Sequence, residues 1–317
     1  MWKSQLKSEY LKVLQTCPEH ISICDLILQK QNSKCINDLL KETDTKLRID
    51  TDLKWNLLEA DINFDQTYKY KNGEKVYQKN GKGRLPGYPD RILYKNLETP
   101  TKYKFFKVQP KESDHKPIHA YFKDWDLNVI TMNAAHKDFH NTEFKRFLKK
   151  VRSLKSTNTI LLCQELTHKS FATIKKKLQK YDWYCFQACG SIFTGYILGM
   201  FIKCSHENSI QHPSKCIKLY NNIKQQIIQS KGIQIAKMFD SKNKEILRII
   251  NLHAPFKNYQ TTRKFMEKLQ MYFPIDESQP LIVGGDFNFR STMNKEQRNF
   301  TKNADYDPST CGDTKRL

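Results

Sequence analysis

The chain has 317 residues, 38% of them hydrophobic, and 54 Lys and Arg against 33 Asp and Glu give it a formal net charge of +21. That length supports the core of one α/β domain, or at most two; no run of 18 apolar residues occurs, which excludes a transmembrane helix, and Met1 to Lys7 lack the apolar core of a signal peptide. The nine cysteines show no CxxC spacing, so they read as reduced thiols of an intracellular protein rather than a disulfide framework or zinc site.

In chain order, residues 1–45 read as helix and loop without a catalytic signal. Residues 55–122 hold three polar-rich segments: Phe64-Asp65-Gln66-Thr67-Tyr68-Lys69-Tyr70-Lys71, then Arg84-Leu85-Pro86-Gly87-Tyr88-Pro89-Asp90-Arg91-Ile92-Leu93, then Ser113-Asp114-His115 ahead of a strand over 118–122. Between the first two lies a Lys- and Gly-rich loop, 71–87, suited to face phosphate. A strand over 127–132 runs into Asn133. Phe144, Phe147, Leu148, Val151 and Leu154 mark an amphipathic helix. A strand over 159–163 runs into Gln164-Glu165, followed by a second helix marked by Phe171, Ile174, Leu178 and Tyr181. Further strands cover 196–202 and 246–250, the latter leading to Asn251-Leu252-His253. The run 280–283 delivers Gly284-Gly285-Asp286-Phe287-Asn288, and the tail 291–317 is polar and irregular. Side chains two apart on a strand share a face, so Asp286 and Asn288 converge on one point. Several β-rich runs end in polar groups, and ligands gather at the carboxyl ends of strands in α/β sheets.

Taken together, Asn133, Gln164-Glu165, Asn251-x-His253, GDFN at 285–288 and Ser113-Asp114-His115 resemble the endonuclease/exonuclease/phosphatase superfamily of metal-dependent phosphoesterases. Within it, GDFNFR at 285–290 and RLPGYPDRIL at 84–93 resemble the two signatures of inositol polyphosphate 5-phosphatases. The stretch 64–71 resembles that branch's PTYKY motif, with Gln66 in place of Pro, and 230–235 resembles a weaker strand motif. Gly87 and Pro89 depart from the branch's usual pattern. The resemblance implies a four-layer α/β sandwich: two packed, mostly antiparallel sheets flanked by helices.

The motif order differs from the family's. The family places the Asn and Glu strands first and the SDH segment last, whereas here residues 64–115 carry the late motifs and 133–288 the early ones. A circular permutation explains this: 1–122 matches the family's C-terminal part, 123–317 its N-terminal part, in a single domain spanning 1–317. The family's usual last strand then meets its usual first one through Lys123-Asp124-Trp125-Asp126. So short a connector suits a hairpin, which predicts adjacent antiparallel strands there. A chain cut across two tandem copies is the competing account.

The roles implied by the resemblance are these. Glu165 holds Mg²⁺ with Asn133 and Asp114, a sparse oxygen set that suits an ion retaining several waters. Asp286 accepts the proton of the attacking water, and Asn288 holds that water or the phosphoryl group. His115 grips a phosphate oxygen while Asp90 holds its other ring nitrogen; His253 adds a second hydrogen bond. Tyr68, Lys69, Lys82, Arg84 and Arg91 contact the substrate's remaining phosphates. The other histidines, His136 among them, read as surface or packed residues.

The expected activity is Mg²⁺-dependent removal of the 5-phosphate from phosphoinositides or soluble inositol polyphosphates. A nuclease of the same superfamily is the alternative enzyme, favoured by the charge; an inactive polyanion- or phosphoinositide-binding module or fragment is the third reading. Expected partners are the inositol phosphate substrate, an anionic membrane face contacted peripherally, and, for the nuclease, nucleic acid. The expected location is intracellular, cytoplasmic or peripheral on membranes.

Overall fold

The structure is a computed structural model, which describes residues 55–64, 67–68, 70, 88–108, 110, 112–138, 142–189, 196–204, 209–211, 232–254, 265–267, 269–270 and 276–288. The helix expected over 1–45, the loop 71–87 and the tail from 291 lie outside these residues.

Two sheets face each other. One is six-stranded, in the order β2 (Lys102–Phe105), β3 (Ile118–Phe122), β4 (Leu127–Asn133), β5 (Asn158–Leu166), β7 (Ile197–Lys203), β6 (Tyr184–Cys189). The other is five-stranded: β1 (Asp90–Lys95), β11 (Leu281–Asp286), β10 (Glu245–His253), β9 (Gly232–Phe239), β8 (Ser209–Gln211). Both are mixed: β4 with β5 and β10 with β11 run parallel, and the remaining pairs are antiparallel. The parallel strands are central and covered on both faces, which is why 127–133 and 281–286 are buried throughout and read as continuous rather than alternating runs.

Three apolar layers result. Ile92, Val129, Ile160, Leu162, Met200, Ile249 and Ile282 fill the space between the sheets. On the outer face of the six-stranded sheet lie α1 (Thr142–Arg152) and α2 (His168–Leu178). Their Phe144, Phe147, Leu148, Val151, Phe171, Ile174 and Leu178 recur at helical spacing and are all buried. Thr167 caps α2 by accepting the Ser170 N–H at 3.0 Å, and Lys175, Lys176 and Lys177 in its last turn suit the helix dipole. Helical residues at 265–267 and 269–270 put Phe265, Met266 and Leu269 on the outer face of the five-stranded sheet. This is the four-layer sandwich expected.

The hairpin expected at 123–126 is present. Phe122 pairs with Leu127 across an antiparallel β3–β4 ladder, and the turn closes with Asp126 N–H on the Lys123 carbonyl at 3.0 Å. Segments distant in sequence complete the other sheet, where β1 pairs with β11 and sets Asp90 opposite Asp286.

The double glycine before Asp286 has a steric cause. A Cβ on Gly284 would lie 2.5 Å from Leu162 Cδ1 of the facing sheet; one on Gly285, whose φ is +152°, would lie 1.9 Å from the Leu252 carbonyl oxygen. Leu162 is a side chain and can yield, but the Leu252 backbone is fixed by the β10 ladders. Gly285→Ala should therefore cost about 3 kcal/mol or more and lower the thermal unfolding midpoint by several degrees. An unchanged midpoint would contradict this packing.

Candidate active site

Polar groups from both sheets meet at one end of the sandwich. On the five-stranded sheet, His253 at the end of β10 lies in register with Asp286 at the end of β11, and Asp286 with Asp90 at the start of β1. On the six-stranded sheet, His115 precedes β3, Asn133 ends β4 and Glu165 lies near the end of β5. Asn133 bridges the two: its Nδ2 donates to Asp286 Oδ2 at 2.9 Å. The facing Gln164 and Asn251 tie the sheets together just behind, with Gln164 Nε2 donating to Asn251 Oδ1 at 2.7 Å and Asn251 Nδ2 donating to the Cys163 carbonyl at 3.1 Å.

Local backbone features aim the acidic groups. The β5–β7 register slips between Cys163 and Leu166, a bulge in which Glu165 adopts a φ of 53°. Bulges commonly redirect a side chain beside an active site, and a left-handed Glu is an uncommon conformation. Asn288, with φ 51°, returns its backbone N–H to Asp286 Oδ1 at 2.8 Å, and its Nδ2 donates to the Ala254 carbonyl at 2.6 Å. Asp286 is thus held through both carboxylate oxygens.

Glu165, His253 and Asp286 form a cluster whose ligand atoms all lie within 4.8 Å of one another. His253 Nε2 is 3.2 Å from Glu165 Oε1 and 3.7 Å from Asp286 Oδ2. Glu165, partly open to solvent, offers a hard oxygen donor that suits a divalent cation of the magnesium type, with the Asp286 carboxylate close by.

Asp90 and His115 are a buried pair, with Oδ2 and Nδ1 2.8 Å apart. Burial opposes the imidazolium, but the Asp90 carboxylate outweighs it through charge and hydrogen bond, helped by Asp286 and Asp114; the His115 pKa is pushed up to about 9. Burial likewise pushes the Asp90 carboxyl above its ordinary range, against the pull of His115. His115 is therefore a cation at neutral pH. Its Nε2 lies 4.0 Å from Asp114 Oδ1, and its ring centroid is 4.5 Å from that of buried Tyr68.

The sequence-derived set is thus brought together in Asp286, Asn288, His253, Glu165, Asn133, Asp90, His115, Asp114 and Tyr68. Lys69, Lys82 and Arg84 lie outside the described residues. Arg91 is a correction. It alternates with Asp90 along β1, so its side chain takes the opposite face, where it is fully buried. There Nη1 pairs with Glu59 Oε2 at 2.8 Å and Nε donates to the Tyr88 carbonyl at 2.6 Å, so it braces the segment before Asp90.

Sequence reasoning gave no role to Thr67 or Ser113. Thr67 Oγ1 accepts the Asp90 N–H at 3.4 Å, while Ser113 Oγ accepts the His115 N–H at 3.0 Å and donates to the Asn133 carbonyl at 2.6 Å. Their places inside the motif segments were the available signal.

Residues 22–121 match the model of Endonuclease/Exonuclease/phosphatase family 2. The chain is 34% identical over 79 residues to inositol-1,4,5-trisphosphate 5-phosphatase 1 of Schizosaccharomyces pombe, covering 25% of this chain and 7% of that protein. It is 38% identical over 69 residues to the rat (Rattus norvegicus) phosphatidylinositol polyphosphate 5-phosphatase type IV, covering 20% of this chain and 10% of that one. The chain thus spans a small part of the length of these relatives. A solved endonuclease/exonuclease/phosphatase from Bacteroides vulgatus covers 56% of this chain and 70% of its own at 15% identity, with a TM-score of 0.35. By its motifs and these partial matches, the chain is similar to the endonuclease/exonuclease/phosphatase family over residues 22–121, and its sequence likeness is to inositol polyphosphate 5-phosphatases.

Proposed function

We propose that this chain is a Mg²⁺-dependent phosphomonoesterase that removes the 5-phosphate from inositol polyphosphates or phosphoinositides, working as a single circularly permuted domain. The observation that carries the reading is the meeting of Asp286, Glu165, His253, Asn133 and the Asp90–His115 pair at one end of the sandwich, from segments nearly two hundred residues apart. Glu165 would hold the Mg²⁺, joined by Asn133 and Asp114 as the resemblance implies, and the bound ion would supply charge neutralisation of the phosphate.

The chain's own groups account for the rest. Protonated His115, fixed through Nδ1 by Asp90, presents Nε2 to a phosphoryl oxygen. His253 offers a second nitrogen from the opposite sheet. Asp286, oriented by Asn133 and by the Asn288 N–H, accepts the proton of the attacking water. With its amide nitrogen on Ala254, Asn288 keeps its carboxamide oxygen as the atom to hold that water. The net charge of +21 favours a nuclease as the second reading, because the same groups can act on a phosphodiester.

Phosphate release from a 4,5-bisphosphorylated inositol headgroup, measured with Mg²⁺ and with chelator, tests the proposal. Release expected with Mg²⁺ should vanish in chelator. Absence of release under both conditions, together with salt-sensitive cleavage of single-stranded DNA, would move the assignment to the nuclease.

A further inference from the structure

Three non-Gly residues outside the Asn/Asp class that tolerates left-handed backbone have positive φ among the described residues: Ala135 at 49°, His136 at 56° and Glu165 at 53°. All three lie in one place. The His136 N–H donates to the Glu165 carbonyl at 3.0 Å, and the Ala135 N–H to Asn133 Oδ1 at 2.8 Å. Strain concentrated in this way is commonly retained where a side chain must be presented.

The presented side chain is His136, which is exposed, and its ring stands edge-on to Tyr196 with centroids 4.1 Å apart. Tyr196 immediately precedes β7, whose first residue, Ile197, pairs with Leu166. Across the six-stranded sheet, successive strand ends therefore offer His115, Asn133, Glu165 and then Tyr196. The Tyr196 phenol supplies an O–H donor there. The loop is fixed from behind as well: Ser170 Oγ donates to the Lys137 carbonyl at 2.7 Å, and Thr167 Oγ1 to Asp138 Oδ1 at 2.6 Å.

We infer that His136 and Tyr196 form a hydrogen-bonding wall beside Glu165 that positions the alcohol portion of the substrate, the hydroxylated ring left behind when the phosphate departs. The inference rests on the phosphomonoesterase reading and extends it to specificity. Both side chains carry donors, and the pair lies one strand beyond the groups proposed to meet the phosphate, the side on which this inference seats the leaving polyol. A polyol ring offers acceptor and donor hydroxyls at its rim, which suits two polar tips better than a stacking platform, since His136 already meets the Tyr196 ring.

Two substitutions remove the tips with little strain. His136→Gly suits the positive φ, and Tyr196→Phe keeps the ring. Steady-state kinetics on the 4,5-bisphosphorylated inositol headgroup should show KM raised roughly 3- to 10-fold by each variant, with kcat within about twofold of wild type. Inhibition by the dephosphorylated product should weaken in parallel, and the double variant should fall short of the product of the two effects because the rings touch. Unchanged KM and product inhibition, or a fall in kcat at constant KM, overturns the wall. Absence of phosphate release by the wild type would instead overturn the phosphomonoesterase reading on which it stands.

Discussion

Asp286→Ala should reduce kcat for phosphate release roughly 10²- to 10⁴-fold, the range for loss of a positioned general base, while leaving the protein folded. The carboxylate is fixed from two directions, by the Asn288 N–H at 2.8 Å and the Asn133 amide at 2.9 Å. Its loss therefore also frees the link between the sheets, which a small fall in the unfolding midpoint would register. Asn133→Ala breaks the bridge and removes a proposed Mg²⁺ neighbour but keeps the base, so its rate loss should be smaller than that of Asp286→Ala. Equal residual rates in Asp286→Ala and wild type would remove Asp286 from the chemistry.

The second large effect belongs to Asp90 and is visible in the pH profile. With His115 pushed up to about 9 by its buried partner, wild-type activity should hold through neutral pH and decline on the alkaline side near pH 9. Asp90→Asn deletes the charge that sustains the imidazolium while keeping the shape. The His115 pKa then falls from about 9, because burial lowers it and only the Asp286 and Asp114 carboxylates still raise it. At pH 8 the protonated fraction falls as a result, and activity should fall with it. The raised pKa also has a stability consequence. The contribution of His115 is complete below pH 6.5, fades above it, and is lost as pH passes about 9. An alkaline limb that stays in place in Asp90→Asn would sever the two residues functionally.

The convergence of motif residues was legible because they sit at strand ends, and strand ends can be read from apolar runs. The hairpin at 123–126 was legible for a geometric reason: four residues between two β-rich runs leave little else to form. The roles of Thr67 and Ser113 were hidden because short hydroxyl side chains acting on nearby backbone look like ordinary loop residues. Arg91 misled because DRIL reads as one motif, while the strand's alternation sends neighbours to opposite faces. His136 was invisible for a different cause. Its significance lies in a backbone conformation and in a tyrosine sixty residues away, neither of which a local pattern encodes.

The pairing of β1 with β11 has a bearing on how the protein is made. Ribosomal synthesis delivers β1 first, and its partner follows roughly 190 residues later, about 10–40 s at ordinary elongation rates. For that interval Ile92, Leu93 and Tyr94 belong to an apolar strand without its principal neighbour, whereas β3, β4 and β5 can assemble at once from adjacent segments. The nascent chain therefore completes most of the six-stranded sheet before it can close the five-stranded one. Substitutions in β1 that leave the finished protein unharmed can still lower its yield, by lengthening the life of an unpaired, aggregation-prone edge.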